Sequence, residues 1–409
     1  MAIQFPQFNF EMSPLSRGIL NKTILILSFV SLLNDISSEM LYPVLPIYLK
    51  SIGFSVLIIG ILEGFAEAIA GLSKGYFGKY SDVSGKRAPL ITAGYLLSAV
   101  SKPMMAMLLQ PLWVFFARTL DRLGKGVRTA SRDAMLSDNS TSENKAKVFG
   151  FHRAMDTLGA VIGPVLALVY LSYNPGDYRN IFFIAFVPAI MGVMLTFFLK
   201  DKEHGSGGRI ELRKYFSFLS YWKISGSKFR LLTGGLFAFA LINSSDMFLL
   251  LMIKHLGYGD DDVIRIYIFF NLVLALSAFP AGMLADKFGF RKSLLAGLAV
   301  FAAAYGLMAV SKEIGMIYFA FFLYGLFPSL TDGVSKAWIS NIIPKEFTAT
   351  ALGFFTGLNS VFVLLSSAVA GLIWNVAGPS TVFIVASAGA IAVIIYFLLM
   401  SNRIGQPSR

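Results

Sequence analysis

The chain has 409 residues, 56% of them hydrophobic and only 14% charged, against about 25% charged in a soluble globular chain, so an ordinary soluble domain is excluded and a polytopic membrane protein is indicated. It has no cysteine, which excludes disulfide frameworks, Cys-based metal sites and thiol catalysis. The net charge of +12 is spread along the chain rather than gathered in one soluble domain; that fits membrane topology and argues against a nucleic-acid partner.

The first 21 residues are of mixed character and lack the apolar core and small-residue cleavage site of a signal peptide. Apolar spans of about 20 residues then recur with short breaks. They predict twelve helices over 22–50, 55–79, 88–110, 112–136, 147–172, 179–200, 229–254, 263–285, 293–311, 314–340, 347–374 and 379–401. The longest interruption, 201–228, starts polar and Gly-rich and turns basic and aromatic from Arg213 to Lys223. The second part reads either as an interfacial segment on an anionic leaflet or as a plain linker. The domain division expected is therefore 1–200, a linker 201–228, and 229–409.

Lys and Arg set the orientation. With both termini cytoplasmic, roughly 22 of the 35 basic residues fall at cytoplasmic segments or their edges, and about five (Lys50, Arg179, Lys254, Arg265 and Lys312) fall outside. A multi-pass protein of the inner or plasma membrane is expected, with both ends inside. The Asn139-Ser-Thr sequon then lies in a cytoplasmic loop and reads as chance.

The chain also repeats itself. Ser37-Ser-Glu39-Met40 in helix 1 returns as Ser244-Ser-Asp246-Met247 in helix 7. The stretch from Gly78 through Asp82 to Gly85-Lys86-Arg87 returns as Gly282 through Asp286 to Gly289-Phe-Arg291-Lys292. Two matches at nearly one offset, each after the same number of helices, point to a six-plus-six duplication.

On these residues the chain resembles the major facilitator superfamily over its whole length. The specific element is the loop motif G-x-x-x-D-x-x-G-x-[RK]-[RK] between helices 2 and 3, one residue tighter here at its end, and again between 8 and 9. The resemblance implies an all-α fold of two pseudo-symmetric six-helix bundles around a central cavity, and alternating access. It assigns Asp82, Lys86, Arg87, Asp286, Arg291 and Lys292 to a cytoplasmic gate latch. Without the family, these residues read as helix-end charges, or only as positive-inside anchors. Arg118-Thr-Leu-Asp-Arg-Leu-Gly124 is similar to the helix 4 motif R-x-x-Q-G-x-G, with Asp121 and Arg122 where the family often has Gln and Gly. Gly159-Ala-Val-Ile-Gly163-Pro164 resembles the G-x-x-x-G-P motif of exporters that exchange substrate for protons, although Val165-Leu166-Ala167 replaces the glycine pair usual after it. The same spacing also serves plain helix packing.

Predicted helix 4 is the most informative. At 100° per residue Arg118, Arg122, Lys125 and Arg132 share one face about 80° wide, with Asp121 and Arg128 on one flank and Asp133 on the other. Facing lipid, each such charge costs about 2.5–3.5 kcal/mol, while each Leu or Phe returns only about 0.3–0.6. The stripe must face the protein interior or a water-filled cavity. Carboxylates are available in the spans: Asp35, Glu39, Glu63, Glu67, Asp121, Asp133, Asp156, Asp246 and Asp332. Lys102, the helix 4 cations, Arg153 and Lys336 nearly balance them, which indicates a network.

Asp35 and Glu39 are one turn apart on helix 1, and Glu63 and Glu67 on helix 2. Poorly solvated carboxylate pairs resist double ionisation and can load and release a proton near physiological pH. These four are the expected proton-coupling residues, with Arg118 and Arg122 as counter-charges to Asp35 and Glu39. Lys102, Arg118, Asp121, Arg122, Lys125, Arg153 and Asp156 form the expected charge network. Asn34, Tyr42, Asn243, Asp246, Asp332, Lys336 and Asn359 are the expected cavity residues, against an apolar, aromatic wall from the C-terminal half. Arg128, Arg132 and Asp133 join the gate set. The alternative is that these groups only lock helices in fixed ion pairs.

No nucleophile–base pair, metal-ligand spacing or complete phosphate loop appears. Gly124-Lys125-Gly126 lacks the earlier Gly and the Ser/Thr of a phosphate loop. The histidines 152, 204 and 255 are scattered, and His152, near Asp156, reads as structural or titrating. No enzyme activity, resident metal or cofactor is expected. The expectation is a monomeric secondary transporter of a small solute, coupled to protons, with export ahead of uptake. The alternative from another class is a sensor or scaffold that kept the fold.

Overall fold

The computed structural model describes residues 21–140, 145–201, 221–343 and 348–400, and among these it contains helices and no strand. The helices are α1 (Lys22–Leu41), α2 (Leu45–Ser51), α3 (Val56–Ser84), α4 (Ala88–Met107), α5 (Pro111–Asp138), α6 (Lys145–Tyr173), α7 (Tyr178–Thr196), α8 (Tyr221–Ile224), α9 (Ser227–Ala240), α10 (Met247–His255), α11 (Asp260–Phe288), α12 (Phe290–Val310), α13 (Ile314–Ile342), α14 (Thr348–Ala377) and α15 (Pro379–Leu399). Among the described residues nine helical rods are long and apolar enough to cross a membrane, with α1 and α2 counted as one rod from Lys22 to Ser51. The charged α5, the 29-residue α11 and the broken α9–α10 pair occupy three more predicted spans.

Local chemistry explains the ends. Asn21 caps α1 by accepting the Ile24 amide at 2.9 Å, and Ser55 caps α3 by accepting that of Ile58 at 3.3 Å. The two repeated loops each turn on a glycine at positive φ, Gly85 at 66° and Gly289 at 92°. A side chain there would be strained, which gives the motif glycine its reason. Predicted helix 6 ends early, at Thr196, and Asp201 beyond it serves another helix. Its carboxylate accepts the Arg87 and Ala88 amides at 3.0 and 2.8 Å, satisfying the free N-terminus of α4. In the loop before α7, Tyr170 and Asn180 hydrogen-bond Asp177 and hold its carboxyl below the usual range.

The rods form two bundles. In the first, α1 packs on α6 and α7, and α4 and α3 pack on α5. In the second, α12 packs on α13 and α15, and α11 on α13. The halves meet through α3 with α14, α6 with α11, and α2 with α10. In rod order these are pairs 2–11, 5–8 and 1–7; a six-plus-six symmetry exchanges the first two and maps the third onto itself. Small residues allow the approach: a Cβ on Gly64 would lie 2.8 Å from the Leu364 Cα, and one on Gly371 2.7 Å from the Leu57 Cα.

Away from the Lys22 side the halves are sealed. Met247 to Ile253 of α10 and Leu45 to Leu49 of α2 are all buried. Tyr178, starting α7, hydrogen-bonds Asp260, starting α11, and Lys254 holds the same carboxylate at 2.5 Å. Residues 202–220, with most of the interfacial segment, lie outside the described residues. Its described end packs on the second half, Tyr221 edge-on to Phe229 and Trp222 stacked on Phe354.

Candidate functional site

The charged face of α5 turns inward. Arg118, Asp121, Arg122 and Arg128 are only 6%, 8%, 7% and 6% exposed. Arg118 grips Glu63 of α3 with two parallel hydrogen bonds, of 2.7 and 2.8 Å, and reaches Asp121 at 3.2 Å. Such a fork-to-carboxylate pair is strong and geometrically fixed. Arg122 lies 3.1 Å from Glu67 and 3.9 Å from Glu63. Lys102 of α4 completes the row, 3.6 Å from Asp121 and 3.0 Å from the Ser98 carbonyl. Arg118 and Arg122 thus pair with Glu63, Glu67 and Asp121, not with Asp35 and Glu39 as expected from sequence. α3 packs directly on α5, and the two carboxylates of α3 reach the guanidiniums first.

Asp35 and Glu39 face a smaller cavity of about 50 Å³ with Tyr42, Lys102, Arg118, Asp121, Arg122, Lys125 and Arg128 on its walls. Glu39 accepts a hydrogen bond from Tyr267 of α11 at 2.6 Å, across the two halves. Tyr267 also stacks on Tyr42, ring centres 5.3 Å apart. Asn34 is buried, its amide 3.4 Å from Asp35. Behind this helix sit Gly159 and Gly163 of α6. A Cβ on Gly159 would lie 2.8 Å from that of Asp35, and one on Gly163 2.5 Å from the Ile36 carbonyl and 3.1 Å from the Glu39 carbonyl carbon. The glycine motif therefore seats α6 on the turn that carries both carboxylates.

The second half repeats the device. Asp246, the counterpart of Glu39 in the sequence repeat, accepts a hydrogen bond from Tyr324 of α13. It sits where the seventh predicted helix breaks into α9 and α10, at 241–246.

A larger cavity, of about 380 Å³, lies toward the Lys22 side between the halves. Asn243, Asp332, Lys336 and Asn359 line it with Phe239, Phe327 and Phe355. Its wall from the second half is also polar, through Thr331, Ser335, Thr356 and Ser360. Glu67 and Lys74 face it from α3. The volume is in the ordinary range for a small-molecule site.

The expected gate residues separate. Arg87 pairs with Asp138, joining the start of α4 to the end of α5. The side chains of Asp82 and Asp286 lie outside the described ones. Lys86 and Lys292 are exposed, and the Arg291 Nε is buried without a hydrogen-bond partner among the described residues. Arg128 is an interior residue, 2.6 Å from Ser98 Oγ and over the Tyr95 ring. Arg132 reaches Asp133 at 3.0 Å and Ser31 at 3.1 Å. Asp156 lies 3.5 Å from His152, and Arg153 is exposed.

Sequence reading missed several of these parts. Lys74 was legible as a charge inside an apolar span. Tyr267, Tyr324 and Ser98 carried no signal, because Tyr and Ser are common in spans and their partners lie on other helices. Among the described residues no group of three or more His, Asp or Glu is placed to hold a metal ion.

Comparison with known proteins places this arrangement in context. The family model described as the Major Facilitator Superfamily matches residues 27–278 and 266–408. An uncharacterised MFS-type transporter of Methanocaldococcus jannaschii is 33% identical over 384 residues, covering 91% of this chain and 93% of that protein. The quinolone resistance protein NorA of Staphylococcus aureus is 28% identical over 145 residues, 36% of this chain and 37% of its own. A mutant form of the nucleoside transporter NupG superposes with a TM-score of 0.78 at 13% identity, covering 93% of this chain and all of that one.

Proposed function

The chain belongs to the major facilitator superfamily and is a secondary transporter of a small solute, and from that premise we propose that it is a proton-coupled exporter working by alternating access. The two rocking units are 1–200 and 229–409, joined by 201–228. The Lys22 side is cytoplasmic, following the excess of basic residues there. The protein acts as a monomer in the inner or plasma membrane, with both termini inside.

One observation carries the reading. Glu39 is bonded to Tyr267 of the opposite half and is backed by Gly163 of the exporter-type motif. A carboxylate at that junction changes its surroundings whenever the halves part, so its proton affinity is tied to the conformational cycle. Asp35, one turn away, shares the cavity. Glu63 and Glu67 are read as the support of this site, held by Arg118 and Arg122, with Glu67 the link to the larger cavity. The likeness of part of the chain to NorA, a resistance protein by name, supports export.

The test uses proteoliposomes with an internal pH dye, an imposed proton gradient and a panel of solutes. Solute-dependent proton movement opposite to solute flux supports export by exchange. Movement in the same direction replaces it with uptake, and solute flux without proton movement removes the coupling.

A further inference from the structure

The larger cavity carries an imbalance of charge pairing. Of its two carboxylates, Glu67 is already held by Arg122 at 3.1 Å. Asp332 and Lys336 stand one turn apart on α13 without forming an ion pair among the described residues. Lys74 faces them from α3, in the other half, and its side-chain amine has no hydrogen bond or ion pair among the described residues either. Two lysines from opposite halves thus share one cavity, and of its two carboxylates only Asp332 is outside an ion pair among the described residues. Bringing the halves together raises the repulsion of the lysines, unless something negative lies between.

We propose that this cavity takes a small organic anion whose charged group sits between Lys74 and Lys336. The rest of the wall fits such a solute. The Asn243 Oδ1 is buried without a hydrogen-bond partner among the described residues where the chain breaks between α9 and α10, and it is an acceptor for a hydroxyl or amine of the solute. Phe239, Phe327 and Phe355 supply apolar and aryl contact. A solute bearing only positive charge meets two lysines and two carboxylates, of which Glu67 is already held by Arg122, and is disfavoured. Because the two amines belong to different halves, the anion that is recognised also removes the charge that opposes closure, so binding and closure are one event. This substrate class rests on the transporter reading, but not on proton coupling or on direction.

The experiment is thermal unfolding of the full chain in detergent at fixed ionic strength. The probes are the sodium salts of benzoate, salicylate, glutamate, citrate and inorganic phosphate, compared with choline and tetraphenylphosphonium chlorides. At least one carboxylate is expected to raise the melting temperature in a saturable manner. Loss of a charge-assisted contact is expected to weaken its apparent affinity by about tenfold or more in Lys74→Ala and in Lys336→Ala, while Lys74→Arg retains most of it. Lys312→Ala, away from the cavity, is expected to match the parent. The proposal is overturned if no organic anion stabilises the protein, if phosphate alone does, if the cations stabilise it more, or if the response survives in both alanine variants. A positive result with a silent pH dye describes an uncoupled anion carrier, and the converse leaves proton coupling standing with another substrate class.

Discussion

Tyr267 donates a hydrogen bond to Glu39 at 2.6 Å, and this contact joins α11 of the second half to α1 of the first. The repeat places Asp246 where Glu39 stands, and Tyr324 bonds Asp246 within the second half. One carboxylate–phenol pair spans the halves and the other does not. Under the proposed rocking of the halves, only the first would be broken and remade. Glu39→Gln is therefore expected to abolish solute-dependent proton movement in the dye assay while the protein still folds and binds solute. Tyr267→Phe keeps the carboxyl and removes its partner, so it is expected to shift the pH profile of flux rather than end it. Unchanged proton flux in Glu39→Gln would remove Glu39 from the coupling role.

The Glu63–Arg118 pair has the opposite character. Both side chains are buried, 1% and 6% exposed, and joined by two hydrogen bonds. Removing Arg118 leaves the buried Glu63 with only the longer contact to Arg122 at 3.9 Å, so Arg118→Ala is expected to cost about 3 kcal/mol of stability, the low end for a broken buried pair. Replacing both, as Glu63→Gln with Arg118→Met, is expected to recover most of that loss. Melting curves of the two variants in detergent check it. A double variant no more stable than Arg118→Ala would show that the pair contributes more than mutual neutralisation.

Much of this was legible in the sequence, and the limits have physical causes. The helical runs follow from span length, and the inward face of α5 follows from the cost of charge in lipid. Partner choice does not follow: α3 carries Glu63 and Glu67 onto α5, so Arg118 and Arg122 are taken before Asp35 and Glu39 can reach them. The breaks after Leu41 and after Ala240 were marked by Pro43 and by the polar run Asn243-Ser-Ser-Asp246, but the flanking apolar residues make each stretch long enough for one span, so length alone merged them. Lys74 stood in plain view within an apolar span, and its place became clear only when α13 brought Lys336 to the same cavity.

The packing of α6 on α1 gives a contrast between glycines. A Cβ at Gly163 meets the Ile36 carbonyl at 2.5 Å and the Met40 amide at 2.7 Å, both backbone atoms, whereas one at Gly282 meets nothing within 4 Å. Gly163→Ala is expected to push α1 away, lowering stability by about 1–3 kcal/mol. It is also expected to reduce proton-coupled flux more than uncoupled solute exchange, since the displaced turn carries Glu39. Gly282→Ala is expected to leave both near the parent level. Equal effects from the two changes would show that the close approach of these helices is unimportant.

The sealed side offers a test of the cycle itself. Tyr178 and Lys254 both hold Asp260, so the first half is tied to the second through one carboxylate next to the buried α2–α10 contact. The state described has this side shut and the larger cavity on the other. Tyr178→Phe removes the bond between halves and leaves Lys254–Asp260 in place, so it is expected to raise the population open on the sealed side without unfolding the chain. The chain has no cysteine, so Ser38→Cys, facing the smaller cavity, gives a single reporter. A membrane-impermeant maleimide added from the sealed side is expected to label Ser38→Cys slowly in the parent background. With Tyr178→Phe the rate is expected to rise by about tenfold, the effect of losing roughly 1.5 kcal/mol from a charge-assisted hydrogen bond. Asp260→Asn weakens both contacts and is expected to label faster still. Equal rates in all three backgrounds would mean that the clasp does not set the balance between the two states.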